Sequence, residues 1–314
     1  MDGSIIDIKR FTLHDGQGIR STLFLKGCGL RCAWCQNPEG LETGINLWYL
    51  ETQCIRCGVC VESCPSDALR MDGESHPFIQ INRQRCTLCG DCVAACPTTA
   101  LSFDGRVISA AAAAETLLRD VEFYRQSAGG ITISGGDPLV QPDFAIEVLE
   151  ICRKAGVHTA IETCLFGNYE TLERFVPCTD LFIVDLKLDD SALHLEYTHR
   201  DNKLIKRNYA ALARRGVELL TRIPLIPGIT ATESNISALA RFIREENPGA
   251  RVEFVNFNPL ARNKYALMNR STEFFDGMVP LSASGIDALQ KILESEGLVV
   301  VRDHTRSSGR SEVA

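Results

Sequence analysis

The sequence has no excess of positive charge: 33 Lys and Arg stand against 40 Asp and Glu, for a net charge of −7. General nucleic-acid binders carry a basic patch or stripe, so this balance argues against that class. There is also no apolar run near the ~20 residues that a membrane-spanning helix needs. The opening stretch MDGSIIDIKRF is acidic and broken by charges, unlike a secretory signal. Together these absences predict a cytoplasmic chain with no membrane or nucleic-acid partner. The six histidines, His14, His76, His158, His194, His199 and His304, form no triad legible in the sequence, so general-base chemistry lacks an evident carrier. The remaining composition, 45% apolar and 23% charged, is ordinary for a folded protein. A chain of 314 residues suffices for one large α/β domain or two medium ones.

Cysteine is abundant, at 14 residues. Without a secretory signal this favours metal or redox chemistry over disulfides. Eleven lie between Cys28 and Cys96, while Cys152, Cys164 and Cys178 fall outside and read as packed free thiols. CIRCGVCVESCP (54–65) and CTLCGDCVAACP (86–97) both read C-x2-C-x2-C-x3-C-P. In the bacterial two-cluster ferredoxin run the fourth cysteine ligates the other cluster. Cys54, Cys57, Cys60 and Cys96 are therefore expected to hold one 4Fe–4S cluster, and Cys86, Cys89, Cys92 and Cys64 the second. Zinc is the alternative, since C-x2-C pairs suit a tetrahedral ion. Two complete repeats with a proline after each fourth cysteine favour the clusters, whose chemistry is electron transfer.

A third motif, GCGLRCAWCQNPEG (27–40), stops at three cysteines, Cys28, Cys32 and Cys35. Three thiolates leave one iron of a cubane open, and an open coordination position is the usual mark of a catalytic metal. A remote fourth ligand from Cys152, Cys164 or Cys178 is the alternative. RSTLFLK (20–26) reads as a strand entering this loop. Residues 48–103 lack a long helical period and look inserted. Beyond them helices near 109–126, 142–156, 201–215, 233–246 and 284–296 alternate with strands near 130–134, 157–162, 180–187, 217–223, 252–257 and 298–301. Such alternation predicts a parallel sheet with right-handed crossovers. Polar or Gly-rich stretches follow four strands, at 28–35, 135–137, 185–187 and 256–258. Ligands gather at the carboxyl ends of parallel strands, which places one binding face on an open or closed barrel.

CxxxCxxC with Trp34 before its last cysteine resembles the radical S-adenosylmethionine superfamily. FTLHDGQGIRSTLFLKGCGLRCAWCQNPE (11–39) resembles more narrowly the glycyl-radical enzyme activating enzymes, the group typified by pyruvate formate-lyase activating enzyme. GGITISGGDPLVQ (129–141), HTAIETC (158–164), DLFIVDLK (180–187), RIPLIPGIT (222–230) and FNPLARNKY (257–265) follow in the family's order. The double ferredoxin motif resembles the longer members. The resemblance implies an α/β fold: a partial (β/α) parallel barrel of radical S-adenosylmethionine type with an inserted bacterial-ferredoxin-like α+β domain. The barrel would begin at 1–47, the insert would span 48–103, the barrel would resume over 104–302, and 303–314 would form a disordered tail.

The resemblance also implies roles. Cys28, Cys32 and Cys35 would bind the catalytic cluster, bringing the total to three 4Fe–4S clusters. Trp34, Gln36, Gly135, Gly136, Asp185, Lys187 and Arg222 would surround S-adenosylmethionine, and Glu162, Thr163 and Asp185 match a monovalent cation site of some members. The partners would be a glycyl radical enzyme and an external one-electron donor such as flavodoxin or ferredoxin, acting on a monomer. The sequence departs from the family at Asp137, where Glu is usual, at Asn258, where a histidine stands in the pyruvate formate-lyase type, and at Gln17, where proline is usual. Two other functions remain open on the residues alone: a radical enzyme modifying another peptide or a small molecule, and a non-catalytic electron carrier.

Overall fold

A computed structural model of the chain describes residues 1–73, 77–268 and 270–301. The tail expected at 303–314 lies outside the described residues. The strands are β1 (Asp2–Thr12), β2 (Arg20–Leu25), β3 (Leu47–Tyr49), β4 (Leu69–Met71), β5 (Ile79–Ile81), β6 (Leu101–Phe103), β7 (Arg106–Ser109), β8 (Gly130–Gly135), β9 (His158–Thr163), β10 (Leu181–Asp185), β11 (Leu219–Leu225), β12 (Arg251–Asn256) and β13 (Val299–Val301). Nine of them make one sheet, in the order β13-β12-β11-β10-β9-β8-β2-β1-β7.

From β2 to β13 every neighbouring pair is parallel. β8 and β10 are buried along nearly their whole length, as the apolar run LFIV of β10 requires of a sheet covered on both faces, while β8 buries Thr132 and Ser134 among its isoleucines. Phe144, Val148 and Leu149 of helix Pro142–Lys154 and Ile236, Leu239 and Ile243 of helix Glu233–Glu246 pack into the same core as Leu23, Ile133, Ile161 and Ile223. Among the described residues edge strands β7 and β13 do not pair with each other, so the barrel is partial.

Two features differ from the sequence reading. β1 and β7 add an antiparallel margin beside β2, which charged β1 did not signal. The single helix expected over 109–126 is broken into Ala110–Leu117, a 3-10 turn Leu118–Asp120 and Val121–Ser127. The break sits at buried Asp120, whose carboxylate accepts bonds from Arg10 Nε at 2.7 Å and Ser21 Oγ at 2.9 Å. That tertiary bonding overrides the local helical period.

Between β2 and β7 lies the cysteine-rich segment. β3 pairs with β6 and β4 with β5, around short helices Val59–Glu62 and Asp91–Ala95. It is a true repeat with a step of 32 residues, from Cys54 to Cys86. β3 maps onto β5 and β4 onto β6 at that step, and left-handed Gly58 (φ 79°) maps onto Gly90 (φ 89°). Each glycine precedes a cysteine-bearing helix. The segment leaves the barrel through a neck, where Leu47 pairs with Phe103 and Asp104 N–H donates to Asn46 O at 3.0 Å. Fully buried Lys26 ion-pairs with Asp104 at 3.0 Å and donates to Glu39 O at 2.7 Å. One lysine thus ties the neck to the chain entering the three-cysteine loop.

Candidate active site and metal centres

β2 ends at Leu25, and Lys26 and Gly27 lead into the loop. Gly27 has φ +92°, and a Cβ there would stand 2.7 Å from Thr43 and Val140, so only glycine fits this turn. The loop is clamped by its backbone: Gly27 N–H donates to Gly40 O, Cys28 N–H to Leu41 O, Arg31 N–H to Thr198 O and Ala33 N–H to Tyr197 O, at 2.7–3.1 Å. Trp34 is 5% exposed, packed beside Tyr197 and Phe274. Lys264 Nζ holds the loop's far limb through Gln36 O, Asn37 Oδ1 and Glu39 Oε1.

Cys28, Cys32 and Cys35 border a cavity of about 510 Å³, well within the range of small-ligand sites. Residues at the carboxyl ends of five strands complete its wall: Gly135 ending β8 and Gly136 after it, Glu162 to Cys164 at β9, Asp185 and Lys187 at β10, Arg222 and Pro224 on β11 and Glu253 to Val255 on β12. Burial pushes the Cys32 and Cys35 thiols up to about 12, while neighbouring Cys164 lowers Cys28. Two thiols this reluctant to ionise act as ligands where a metal supplies the compensating charge. Three sulfurs on one clamped loop facing one cavity fit an iron–sulfur cluster.

The charged wall is self-paired. Arg222 donates Nε to Glu253 Oε2 at 2.6 Å, Nη1 to Glu162 Oε1 at 2.7 Å and Nη2 to His14 O. Burial alone would lower its pKa, but the two glutamates more than offset this and the net direction is up. Glu162 also accepts a bond from Ser134 Oγ. Burial would raise Glu162, yet Arg222 and Ser134 hold it below its ordinary value. Lys187 Nζ donates to Asp185 Oδ2 at 2.7 Å. Against burial, the ion pair with Asp185 keeps this lysine charged, with its pKa raised. The cavity thus offers cationic and anionic groups fixed in advance for a ligand bearing both charges.

The eight remaining motif cysteines divide between two hollows. Cys54, Cys57, Cys60 and Cys96 line one. Cys64, Cys86, Cys89 and Cys92 line the other. Each hollow takes three sulfurs from one repeat and the fourth from its twin, the exchange expected of a two-cluster ferredoxin.

Residues 84–241 match the radical SAM superfamily, and residues 53–100 match a 4Fe-4S dicluster domain. The chain is 37% identical over 301 residues to the benzylsuccinate synthase activating enzyme of Thauera aromatica, covering 94% of this chain and 91% of that one. It is 35% identical over 271 residues to the (2S)-3-sulfopropanediol dehydratase activating enzyme of Klebsiella oxytoca, 85% of each. The chain belongs to the glycyl radical enzyme activating enzymes. A solved domain of pyruvate-formate lyase-activating enzyme from Bacteroides vulgatus ATCC 8482 is 29% identical, matching 55% of this chain and 98% of the domain at a TM-score of 0.47. As a radical SAM activase the chain is an oxidoreductase that cleaves S-adenosylmethionine and generates a radical on a partner enzyme.

Every residue that the resemblance places around the cofactor, Trp34, Gln36, Gly135, Gly136, Asp185, Lys187 and Arg222, lines the cavity of this activase, as do Glu162 and Thr163. The two glycines have a nearer reason to be glycine than ligand approach. A Cβ on Gly135 would meet Leu25 N at 2.4 Å, and one on Gly136 would meet Gly27 O at 2.0 Å. They let β8 pass directly beneath the cysteine loop.

Asp137 does not face the cavity. It is 2% exposed and accepts bonds from Leu139 N–H, Thr163 Oγ1, Cys164 N–H and Cys164 Sγ at 2.9–3.1 Å. Asn258 caps its own turn through Leu260 N–H, and its backbone carbonyl accepts from Gln36 Nε2 at 2.9 Å. Sequence reasoning gave no role to Asp15, Ser134 or Glu253 and read Cys164 as a packed thiol or a remote fourth ligand; all four line the cavity. Of the three cysteines outside the motifs, Cys152 and Cys178 are packed core thiols, while Cys164 donates its Sγ–H to Asp137 Oδ2 at 2.9 Å. The HDG triplet before β2 was the available signal for Asp15. Glu253 carried none, because only the register Arg222↔Glu253 between β11 and β12 brings it in.

Proposed function

We propose that Cys28, Cys32 and Cys35 hold the catalytic 4Fe–4S cluster, that the two hollows hold two more, and that the partner's target is the Cα–H of one backbone glycine. The observation that carries this is the convergence of the three-cysteine loop, the paired glycines, Asp185, Lys187 and Arg222 on one cavity. When bound, the catalytic cluster supplies one electron to the sulfonium of S-adenosylmethionine.

The chain's residues do the rest. Trp34 and Gln36, fixed by the aromatic packing and by Asn258, lie where the adenine would rest. Lys187 stays charged to meet the methionine carboxylate, and Asp185 orients that lysine while facing the ribose. Arg222 is held rigid by two carboxylates beside the nucleoside. Cleavage gives methionine and a 5′-deoxyadenosyl radical, which takes a hydrogen atom from glycine held at near contact. The glycyl radical is stabilised by delocalisation over the flanking amides.

Residues 48–103 act as an inserted ferredoxin-like unit between the two parts of the barrel, 1–47 and 104–302. The electron comes from an external protein such as flavodoxin or ferredoxin, and the chain works as a monomer in the cytoplasm. No helix among the described residues is long and apolar enough to cross a membrane. Glu162, Thr163 and Asp185 line the same cavity, and a monovalent cation held by their oxygens is part of the proposal.

The test is isotopic. Deuterium on the partner's glycine Cα is expected in 5′-deoxyadenosine after turnover. Label retained in the protein while the nucleoside forms with a matched partner would overturn the glycine assignment.

A further inference from the structure

The two cysteine hollows are related by the repeat, but they are not equivalent in place. The hollow of Cys64, Cys86, Cys89 and Cys92 is lined by Leu47 and Phe103, the strand pair at the neck. The hollow of Cys54, Cys57, Cys60 and Cys96 is lined by Tyr49 and Leu101, one same-face step farther along β3 and β6. A step of two residues along a strand is about 6.5 Å. The neck itself abuts Lys26, whose Nζ bridges Asp104 and Glu39 O, two residues before Cys28. The inner hollow therefore stands on the side of the catalytic loop and the outer one away from it.

The surroundings break the repeat in the same sense. Beside the outer hollow Ile55, Val59 and Met71 are 63%, 38% and 49% exposed. Met71 covers Gly58, next to exposed Cys57. At the 32-residue step these positions become Thr87, Asp91 and Phe103. Phe103 is packed against the inner cysteines rather than presented to solvent. A collar of three exposed apolar side chains therefore frames the outer site, whereas the inner site, whose Cys89 is exposed like Cys57, has one, Leu88 at 43%, where the outer repeat has Arg56.

We infer that the two insert sites act in a fixed order. The Cys54, Cys57, Cys60 and Cys96 site receives the electron, and the Cys64, Cys86, Cys89 and Cys92 site passes it across the Lys26–Asp104 joint toward Cys28, Cys32 and Cys35. This rests on the cluster assignments proposed above. One electron moves at each step and no proton or atom is transferred. A reduced flavodoxin or ferredoxin is oxidised by one electron. Each insert site is reduced and then reoxidised in turn, and the electron ends in the broken C–S bond of S-adenosylmethionine. The apolar collar is where the donor protein meets the outer site.

The experiment is rapid-freeze EPR of the reconstituted full chain after mixing with photoreduced flavodoxin. The catalytic signal is identified by its change on adding S-adenosylmethionine. In Cys89→Ala the outer site is expected to be reduced at the wild-type rate, while the catalytic signal lags. In Cys57→Ala both the inner and catalytic signals lag. Iron analysis of each variant confirms loss of one cluster only. The reversed pattern, or catalytic reduction at the wild-type rate in both variants, overturns the order.

Two surface variants that remove no ligand give an independent reading. Met71→Glu is expected to slow donor-driven reduction by about tenfold or more, whereas Leu88→Glu, beside the inner hollow, leaves it within about twofold. The opposite ranking overturns the assignment of the entry site. Glycyl radical formation by wild type with dithionite is measured alongside. Its absence would refute the functional reading itself, and its presence without the expected pattern would refute the order alone.

Discussion

Replacing Lys26 by methionine tests the joint between the barrel and the cysteine-rich segment. Lys26 and Asp104 are both fully buried and 3.0 Å apart. Removing one partner of a buried pair leaves an uncompensated charge and costs about 3–5 kcal/mol. Domains are stable by only about 5–15 kcal/mol, so the variant should lose a large share of its margin. In Lys26→Met with Asp104→Leu both charges disappear. What remains is Asn46, whose N–H and Nδ2 donate to Asp104 at 2.8 and 3.1 Å and would lose their acceptor, while Glu39 O loses its lysine donor in the single and the double variant alike. An orphaned buried donor costs about 1–3 kcal/mol, so the double variant should be more stable than Lys26→Met alone. Anaerobic urea unfolding of the reconstituted proteins measures the difference. Hydrogen exchange at Asp104 N–H, which bonds Asn46 O, reports whether the neck itself loosens. A single variant within about 1 kcal/mol of wild type, or a double variant no better than the single, would refute the reasoning.

Iron and sulfide analysis of the reconstituted chain should give three clusters, about twelve irons per chain; about four irons, or zinc instead, would remove the ferredoxin assignment. Cys32→Ala should abolish S-adenosylmethionine cleavage and retain about eight irons, since the insert ligands all come from other motifs; loss of all iron would show that the sites are interdependent. Acidification should weaken the fold through His194, which is 1% exposed, with Nδ1 2.7 Å from Arg200 O and its pKa lowered by burial. The sign follows because the unfolded imidazole protonates near about 6.5 while the folded one resists. Stability is full above that pH and falls as pH drops toward the folded pKa. His194→Gln should flatten the fall in a pH series of thermal melts, and an unchanged slope would count against it.

The cysteine chemistry was legible because ligand spacing is a local property. The exchange of Cys64 and Cys96 between hollows needed only the repeat. The parallel strands were legible for a similar reason, since apolar runs such as LFIVD declare a buried sheet. Strand β1 was not, because an antiparallel margin half open to solvent tolerates Asp7, Lys9 and Arg10. The kink at Asp120 was hidden because it depends on Arg10 and Ser21, distant in sequence. The same holds within the site. Asp185 and Lys187 follow a strand and could be read from it, whereas Glu253 enters through strand register. Asp137 shows how a site-like position can be structural. Read in the GGDP turn it stands for its neighbours' chemistry, yet its carboxylate is spent on Thr163 and Cys164.

The neck has a consequence for how such a chain could change over generations. Because Leu47 and Phe103 lie side by side, the barrel already brings the two ends of the cysteine-rich segment together. A short link from Asn46 to Asp104 could close the gap, and β1, β2 and β7 would keep their partners. The penalty would fall on one residue, Lys26, whose charge needs Asp104 nearby. Gain or loss of the whole cysteine-rich segment is therefore a single event at one hairpin root, with Lys26 and Asp104 kept or replaced together.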